Sequence, residues 1–468
     1  MDAIRLDNVG FSYPGSAKKV LDGVSFSVKF GETVLLSGNS GEGKSTLLSV
    51  INGTIPFSVQ GKLEGTVELC GEDVTSLRVS ERSKRLGTVM QNADEQIVYD
   101  LIKDEIAFGC ENLNVPPDEI ERRIVESTKL MKLNPLSKTK TLSGGQKQRL
   151  ITASTLAMEQ KTIILDEPLA NLDPAGAHLL LRVLRSLAKK GYAIVIAEHR
   201  LDVVKPYVDR TLTVKGGKVF EGEDAMQEKI LENPFPENTH GDLLLKGEKL
   251  LFRADSRNIV DGLDIEIYKG ERLVLLGENG CGKTTLMRTL AKLNPLTDGT
   301  IFQNILPGYK KKKGNAKWFS KVGFVYQNPA YQLFMPTLLS EVAFKAKSEE
   351  KARALISALG LEGLEERHPQ SLSEGQKRRA GIAAICAGEP ELLFLDEPTV
   401  GQDFENLGRI TDLINKMNKD NRCTVVTVTH DRRCASAIAD RVIVMDKGKI
   451  VEQGDSSLAL KRLTEAKI

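Results

Sequence analysis

The sequence predicts an α/β fold built twice in tandem, each copy a mainly parallel, doubly wound sheet core with a small antiparallel sheet before it. Three observations predict it. A glycine-rich phosphate-binding pattern occurs twice, an apolar run closing in an Asp-Glu pair occurs twice, and a later apolar run closing in histidine occurs twice. Lys283 follows Lys44 by 239 residues, Asp396 follows Asp166 by 230, and His430 follows His199 by 231. An offset this long exceeds any solenoid repeat and signals two copies of one domain. The 468 residues then divide into domains at 1–222 and 242–468, joined by a linker over 223–241. Its center, Glu232-Asn233-Pro234-Phe235-Pro236-Glu237-Asn238, is Pro/Asn-rich and lacks periodicity.

The phosphate-binding pattern G-x-x-x-x-G-K-[ST] is met by Gly38-Asn39-Ser40-Gly41-Glu42-Gly43-Lys44-Ser45 and by Gly277-Glu278-Asn279-Gly280-Cys281-Gly282-Lys283-Thr284. Each match follows an apolar run that reads as a strand, Thr33 to Leu36 or Leu273 to Leu276, and each opens a helical pattern. A lone match could be a turn with a chance lysine; two in the same strand–loop–helix context are P-loops. Glycines let backbone N–H groups turn toward a phosphate chain, and the helix N-terminus adds its dipole. The nucleotide-binding candidates are therefore Asn39, Ser40, Gly41, Gly43, Lys44, Ser45 and Thr46, with Asn279, Gly280, Gly282, Lys283, Thr284 and Thr285 in the second copy. Lys44 and Lys283 would reach the β- and γ-phosphates, and the Ser45 and Thr284 hydroxyls would face Mg²⁺. Cys281, inside the second loop, reads as a small filler.

In the first half, strands are expected at Val24–Val28, Thr33–Ser37, Thr66–Leu69, Leu86–Met90, Thr162–Leu165, Ala193–Ala197 and Arg210–Val214. Helices are expected at Glu119–Met131 and Gln146–Met158, and the polar Asp118–Lys132 stretch belongs at the surface. Composition is that of a soluble protein, with 65 basic and 63 acidic residues, a balance that gives no reason to expect nucleic acid. Six scattered cysteines without a C-x-x-C pair argue against a disulfide framework or zinc site and fit a reducing cytoplasm. Met1–Leu6 lacks the apolar segment of a signal peptide, and no run reaches the length of a membrane span. Lys310–Lys313 is the one local charge run; a solvated loop is the plain reading, and contact with anionic headgroups the sharper one.

One further motif narrows the class. Leu142-Ser143-Gly144-Gly145-Gln146 precedes the first carboxylate strand, and a small hydroxyl-bearing turn that opens a helix is a second anion site. Between a P-loop and an Asp-Glu strand, it resembles the signature of ATP-binding-cassette ATPases. The rest of that family's set is present in order: Gln91 and Gln327 match its Q-loop glutamine, Asp173 and Asp403 its D-loop, and His199 and His430 its switch histidine. The resemblance covers essentially the whole chain, once per half. It implies two P-loop NTPase cassette domains, each with a helical subdomain, which close head to tail around ATP and Mg²⁺. Asp166 and Asp396 would hold the metal, with Gln91 and Gln327 beside it; Glu167 and Glu397 would polarize the attacking water; His199 and His430 would sense the γ-phosphate. Ser143, Gly144, Gly145 and Gln146 in one half, and Ser373, Gly375 and Gln376 in the other, would face the nucleotide bound by the opposite P-loop.

The halves differ. Glu374 stands where the family has glycine in the second signature, so the site facing it is expected to be the slower. Tyr13 is placed to stack on adenine, whereas its counterpart Ala254 cannot. The Q-loop segments, Gln91-Asn92-Ala93-Asp94-Glu95-Gln96 and Gln327-Asn328-Pro329-Ala330-Tyr331-Gln332-Leu333-Phe334, are similar to the Q-N-P-D-D-Q-L-F run of energy-coupling factor importers. Ala93 and Ala330-Tyr331 depart from that run. The resemblance implies a peripheral ATPase at the cytoplasmic face of the membrane, partnered by integral coupling and substrate-capture subunits, that drives uptake of a vitamin or metal ion. Asp94 and Glu95 would take an arginine of the coupling subunit, and Ala330 and Tyr331 would grip by apolar contact. The alternatives are a sugar-importer ATPase, a ribosome-acting factor or a DNA-repair cassette. The Q-loop run argues against the first; the short linker, and the lack of zinc cysteines or a coiled-coil insertion, argue against the others.

Overall fold

The computed structural model describes residues 2–16, 19–170, 172–222, 233, 241–254, 257–458 and 461. The chain divides into two units, Met1–Gln227 and Glu228–Ile468. The expected linker lies outside the described residues apart from Asn233 and Gly241; the Asn233 amide donates to Ala439 O at 3.2 Å.

In the first unit a six-stranded sheet runs in the order Lys218–Glu221, Arg210–Lys215, Thr33–Ser37, Ala193–Ala197, Thr162–Asp166, Leu86–Val89. All neighbors are parallel except the Lys218–Glu221 edge. Side chains alternate between two cores: Val34, Leu36, Ile164 and Val195 face one, while Leu35, Ile163, Leu165, Ile194 and Ile196 face the other. A sheet covered on both faces has no polar side, which is why these strands read as unbroken apolar runs. The first core is closed by an antiparallel sheet in the order Leu21–Lys29, Asp2–Ser12, Lys62–Leu69, Glu72–Asp73. The second is closed by the helices Ile102–Asn112, Pro117–Leu130 and Gly144–Ala157.

The second unit repeats this plan. Its six-stranded sheet runs Val322–Val325, Leu392–Asp396, Thr424–Val428, Arg272–Leu276, Arg441–Asp446, Lys449–Asp455, beside a three-stranded sheet of Arg257–Tyr268, Leu243–Ala254 and Asp298–Gln303. In both units the central strands are parallel and in register, as in Leu35 with Ile196 and Val274 with Thr427. Their C-terminal ends therefore meet at one edge, the edge where open α/β sheets bind ligands.

Three details depart from expectation. The antiparallel sheet does not simply precede the core, because Lys62–Leu69 joins it after the P-loop helix Lys44–Asn52. Strand Asp2–Ser12 was hidden by irregular pairing: register shifts between Leu6 and Val9, with Asn8 at φ 49°, break the two-residue period. The two expected helices begin two residues earlier, at Pro117 and Gly144. Proline is favored in a first turn, and Ser143 caps the second helix.

Candidate nucleotide sites

The P-loops fold as the pattern requires. Gly38 and Gly277 sit at φ 137° and 145°, and a Cβ on either would lie 2.3 Å from a backbone carbonyl, Val214 O or Met445 O. Only glycine permits both that dihedral and that approach. The Lys44 Nζ donates to Gly38 O at 2.8 Å and Asn39 O at 2.9 Å; the Lys283 Nζ donates to Gly277 O at 2.7 Å and Glu278 O at 2.9 Å. Each ammonium is thus held inside its loop at the start of a helix, facing the space a phosphate chain would fill. Cys281 is buried and burial pushes its thiol up, so it acts as a filler rather than a nucleophile.

Beside each loop ends a carboxylate strand. Thr284 Oγ1 donates to Asp396 Oδ1 at 2.9 Å, and the Ser45 hydroxyl stands near enough to Asp166 to draw its carboxyl down. One oxygen of each aspartate, Asp166 Oδ1 and Asp396 Oδ2, is buried with no hydrogen-bond partner. A buried carboxylate oxygen left over beside a P-loop hydroxyl fits a hard, oxygen-seeking cation. The donor set therefore suits Mg²⁺, which would neutralize phosphate charge. Burial, and then the neighboring Glu167, pushes the Asp166 carboxyl up to about 6; burial also raises Asp396.

Glu167 and Glu397 follow at left-handed φ of 46° and 51°, a strained conformation for glutamate. Glu167 is gripped from two sides: His199 Nε2 lies 2.9 Å from Oε1, and Gln91 Nε2 donates to Oε2 at 2.8 Å. Glu397 is held more loosely, with His430 Nε2 3.3 Å from Oε1, and the same ring nitrogen 3.2 Å from Asn279 Oδ1. Gln327 is exposed and has no hydrogen bond to Glu397. The charges diverge accordingly. Burial would raise both carboxyls, but the His199 imidazole and the Gln91 amide bring Glu167 below its ordinary range. Glu397, drawn down only in part by Lys283, is pushed up to about 8.

The signature turns are helix caps. Ser143 Oγ accepts from Gln146 N at 3.3 Å and Gln146 Oε1 accepts from Ser143 N at 2.9 Å; Ser373 and Gln376 match this at 3.3 and 3.0 Å. Gln146 and Gln376 thus hold the turn's shape, a role the sequence reading did not include, while Ser143 and Ser373 remain exposed. The Glu374 carboxylate is paired with Lys377 at 2.9 Å, which offsets the charge expected to burden that turn. Asp173 and Asp403 cap helices as well, accepting from Gly176 N at 2.7 Å and Asn406 N at 2.8 Å.

Sequence reasoning missed four positioning groups. Buried Glu198 accepts from Leu169 N, His199 N and Arg200 N at 3.1, 2.8 and 3.2 Å, fixing the turn that carries His199. Buried Glu105 accepts from Val98 N and Tyr99 N at 2.8 Å each, and Glu341 accepts from Phe334 N and Met335 N at 2.7 Å each, tying down the segment after each Q-loop. The repeat itself could have paired these two glutamates. Arg378, one turn into the second signature helix, donates to Glu397 O at 2.6 Å. Its counterpart Gln148 is buried with neither side-chain polar atom bonded, so the first half has no such tie.

Tyr13 is 39% exposed, its ring edge-on to buried Phe11 at 4.9 Å and its hydroxyl 3.2 Å from Thr46 in the P-loop helix. A half-exposed ring beside the loop is placed for stacking; exposed Ala254 offers none. Tyr13→Ala is expected to weaken ATP binding by about tenfold or more at one of the two sites, on the order of 1–3 kcal/mol for a lost base stack. Equilibrium binding of a fluorescent ATP analog to the full chain would measure it; a single unchanged affinity would return Tyr13 to packing alone.

Two P-loops and two Asp-Glu strand ends at the ligand edges of parallel sheets, together with two capped signature turns, define a tandem P-loop ATPase. The family model described as ABC transporter matches residues 21–170 and 260–400. The chain is 32% identical to a "Putative ABC transporter ATP-binding protein" of Methanosarcina mazei, covering 96% of this chain and 88% of that one. It is also 32% identical to the "Putative HMP/thiamine import ATP-binding protein YkoD" of Bacillus subtilis, covering 95% and 90%. Among solved structures, one titled "Crystal structure of the complex of archaeal ribosomal stalk protein aP1 and archaeal ribosome recycling factor aABCE1" shares the fold, with a TM-score of 0.67 at 20% identity over 98% of this chain and 92% of that one. The chain belongs to the ABC transporter family of ATP-binding-cassette ATPases, whose domains bind ATP with Mg²⁺ and hydrolyze it.

Proposed function

We propose that this chain is the ATP-hydrolyzing motor subunit of a membrane importer of the energy-coupling factor type, working with separate transmembrane subunits to take up a vitamin or a transition-metal ion. Within each half, the P-loop lysine and hydroxyl would hold the phosphates and Mg²⁺ with Asp166 or Asp396. Glu167 or Glu397 would accept a proton from the attacking water, and His199 or His430 would orient that water against the γ-phosphate. Charge stabilization by Lys44 or Lys283 and the loop N–H groups supplies much of the acceleration.

The observation that carries the membrane reading is a pair of matching surfaces. The Glu105 and Glu341 carboxylates hold rigid segments just after each Q-loop, and apolar side chains stand out of them into solvent. Val98 in the first segment and Phe334 in the second are 67 and 76% exposed; Tyr331 and Phe344, on either side of the second segment, are 66 and 70% exposed. Exposed aromatics on a fixed backbone suit a protein partner. No helix among the described residues is long and apolar enough to cross a membrane, so a membrane partner would supply the spans. The import protein among the relatives supports the same reading. Asp94 is already paired with Lys147, and Glu95 accepts from Asn92 at 2.9 Å. An arginine of the coupling subunit would share or displace these partners at the first surface, where Asp94 stays 63% exposed, while the second surface grips by apolar and aromatic contact.

Phe334→Asp combined with Phe344→Asp is expected to abolish co-purification of integral membrane subunits while the soluble chain still hydrolyzes ATP. Recovery of the same membrane subunits with the double variant, or of none with the native chain from solubilized membranes, would defeat the proposal.

A further inference from the structure

Between Asp298 and Glu341 the chain has no acidic residue but carries six lysines: Lys310, Lys311, Lys312, Lys313, Lys317 and Lys321. The first-half stretch that corresponds to Pro307–Gln327, Gly71 to Gln91, mixes Glu72, Asp73 and Glu81 with its basic residues. With a net charge of only +2 over the whole chain, this is a local excess. Lys321 pairs with Glu391 at 2.7 Å. The other five are exposed, and among the described residues none has a carboxylate within ion-pair distance.

The run is fastened rather than loose. Lys292, just past the P-loop helix Lys283–Leu290, donates from Nζ to Lys311 O at 3.0 Å and accepts at its carbonyl from Gly314 N at 2.9 Å. Tyr309 Oη donates to Lys313 O at 2.9 Å. The Tyr309 ring stacks on fully buried Trp318 at 5.3 Å, the Lys292 ammonium lies about 5 Å from both rings, and Trp318 Nε1 donates to Ala291 O at 2.9 Å. Carbonyls are held inward and ammonium groups are left outward, so much of the ordering cost is met before any partner arrives.

We propose that Lys310–Lys313 and Lys317 form a docking surface for the anionic phospholipid headgroups of a membrane. Lysine is a point charge that meets a phosphate without a fixed geometry, which suits a fluid array of headgroups. Tyr309 and Trp318 stack on each other and Phe319 packs against the core, so no aromatic ring of the loop is offered to a nucleic-acid base. The proposal rests on the membrane reading given above, and it adds a direct lipid contact made by the second domain alone.

The test is co-sedimentation of the purified full chain, without membrane subunits, with vesicles of mixed phosphatidylglycerol and phosphatidylcholine, against phosphatidylcholine alone. The native chain is expected to pellet with the anionic vesicles only, and to be released by salt. Replacing Lys310, Lys311, Lys312 and Lys313 together by glutamine should weaken that partition by about tenfold or more. The backbone ties use carbonyls and remain, so melting temperature and soluble ATPase rate should hold. Equal partition of the native chain and the variant, or equal partition onto the two vesicle types, overturns the proposal. So does single-stranded RNA that binds this run more tightly than the vesicles do. Lipid binding that persists when no membrane subunit co-purifies would defeat the importer reading alone; its loss with subunits still bound would defeat this proposal alone.

Discussion

Glu167→Gln and Glu397→Gln are each expected to cut steady-state ATP hydrolysis by about 10²–10⁴-fold at the site they serve, the range for removing a general base, while ATP binding persists. Glutamine keeps the shape of the side chain but cannot take the water's proton. The larger loss belongs to Glu167→Gln. Glu167 is ionized and oriented by His199 and Gln91 together, whereas Glu397 is pushed up to about 8 and meets His430 only at 3.3 Å. This reverses the order suggested by the signature motifs alone, where Glu374 marked the site facing the second signature as the slower; its pairing with Lys377 removes much of that reason. Hydrolysis should be followed as phosphate release from the full chain, with nucleotide binding measured in parallel. Native rates in both variants would show that neither carboxylate is the base.

The plan of each half was legible because its determinants are local. Thr33–Ser37 and Ala193–Ala197 match expectation residue for residue, since a strand buried on both faces is an apolar run with sharp ends. The P-loops were legible because Gly38 and Gly277 stand where no other residue fits. What escaped was set by long-range packing. Strand Asp2–Ser12 alternates imperfectly because bulges absorb its register. Glu105, Glu198 and Glu341 look like ordinary helix or strand-end carboxylates, and only the fold brings the backbone N–H groups to them. The exchange of Gln148 for Arg378 is visible when the halves are aligned, but its meaning depends on Glu397 O lying 2.6 Å from the guanidinium.

The repeat also shows how one sequence plan yields two different sites. Both halves keep lysine, aspartate, glutamate and histidine in the same places, yet their surroundings diverge. Gln91 turns in to its glutamate and Gln327 does not; Arg378 reaches a backbone carbonyl where Gln148 reaches nothing. Motif conservation between the halves therefore does not imply equal protonation of their bases.

That divergence predicts a pH signature in the stability of the chain measured without nucleotide. Glu397, pushed up to about 8 by burial, keeps a proton in the folded protein that an unfolded chain releases above its ordinary value of 4.5. The folded state then binds more protons than the unfolded state, so stability falls as pH rises between those values and levels off above about 8. Asp166, raised to about 6, and Asp396, also raised, act in the same direction. Glu167 acts in the opposite sense: its lowered carboxyl adds stability above the ordinary range, lost as pH falls through the folded value. Removing the Glu397 charge should therefore help most at high pH. Glu397→Gln is expected to raise the melting temperature at about pH 8, to flatten its decline from about pH 5, and to be worth on the order of a few kcal/mol. Glu167→Gln should lower the melting temperature at neutral pH, because it leaves His199 without its carboxylate. Calorimetric melts of both variants and the native chain across this range decide the matter. A Glu397→Gln profile parallel to the native one would mean that this carboxyl titrates normally in the folded protein.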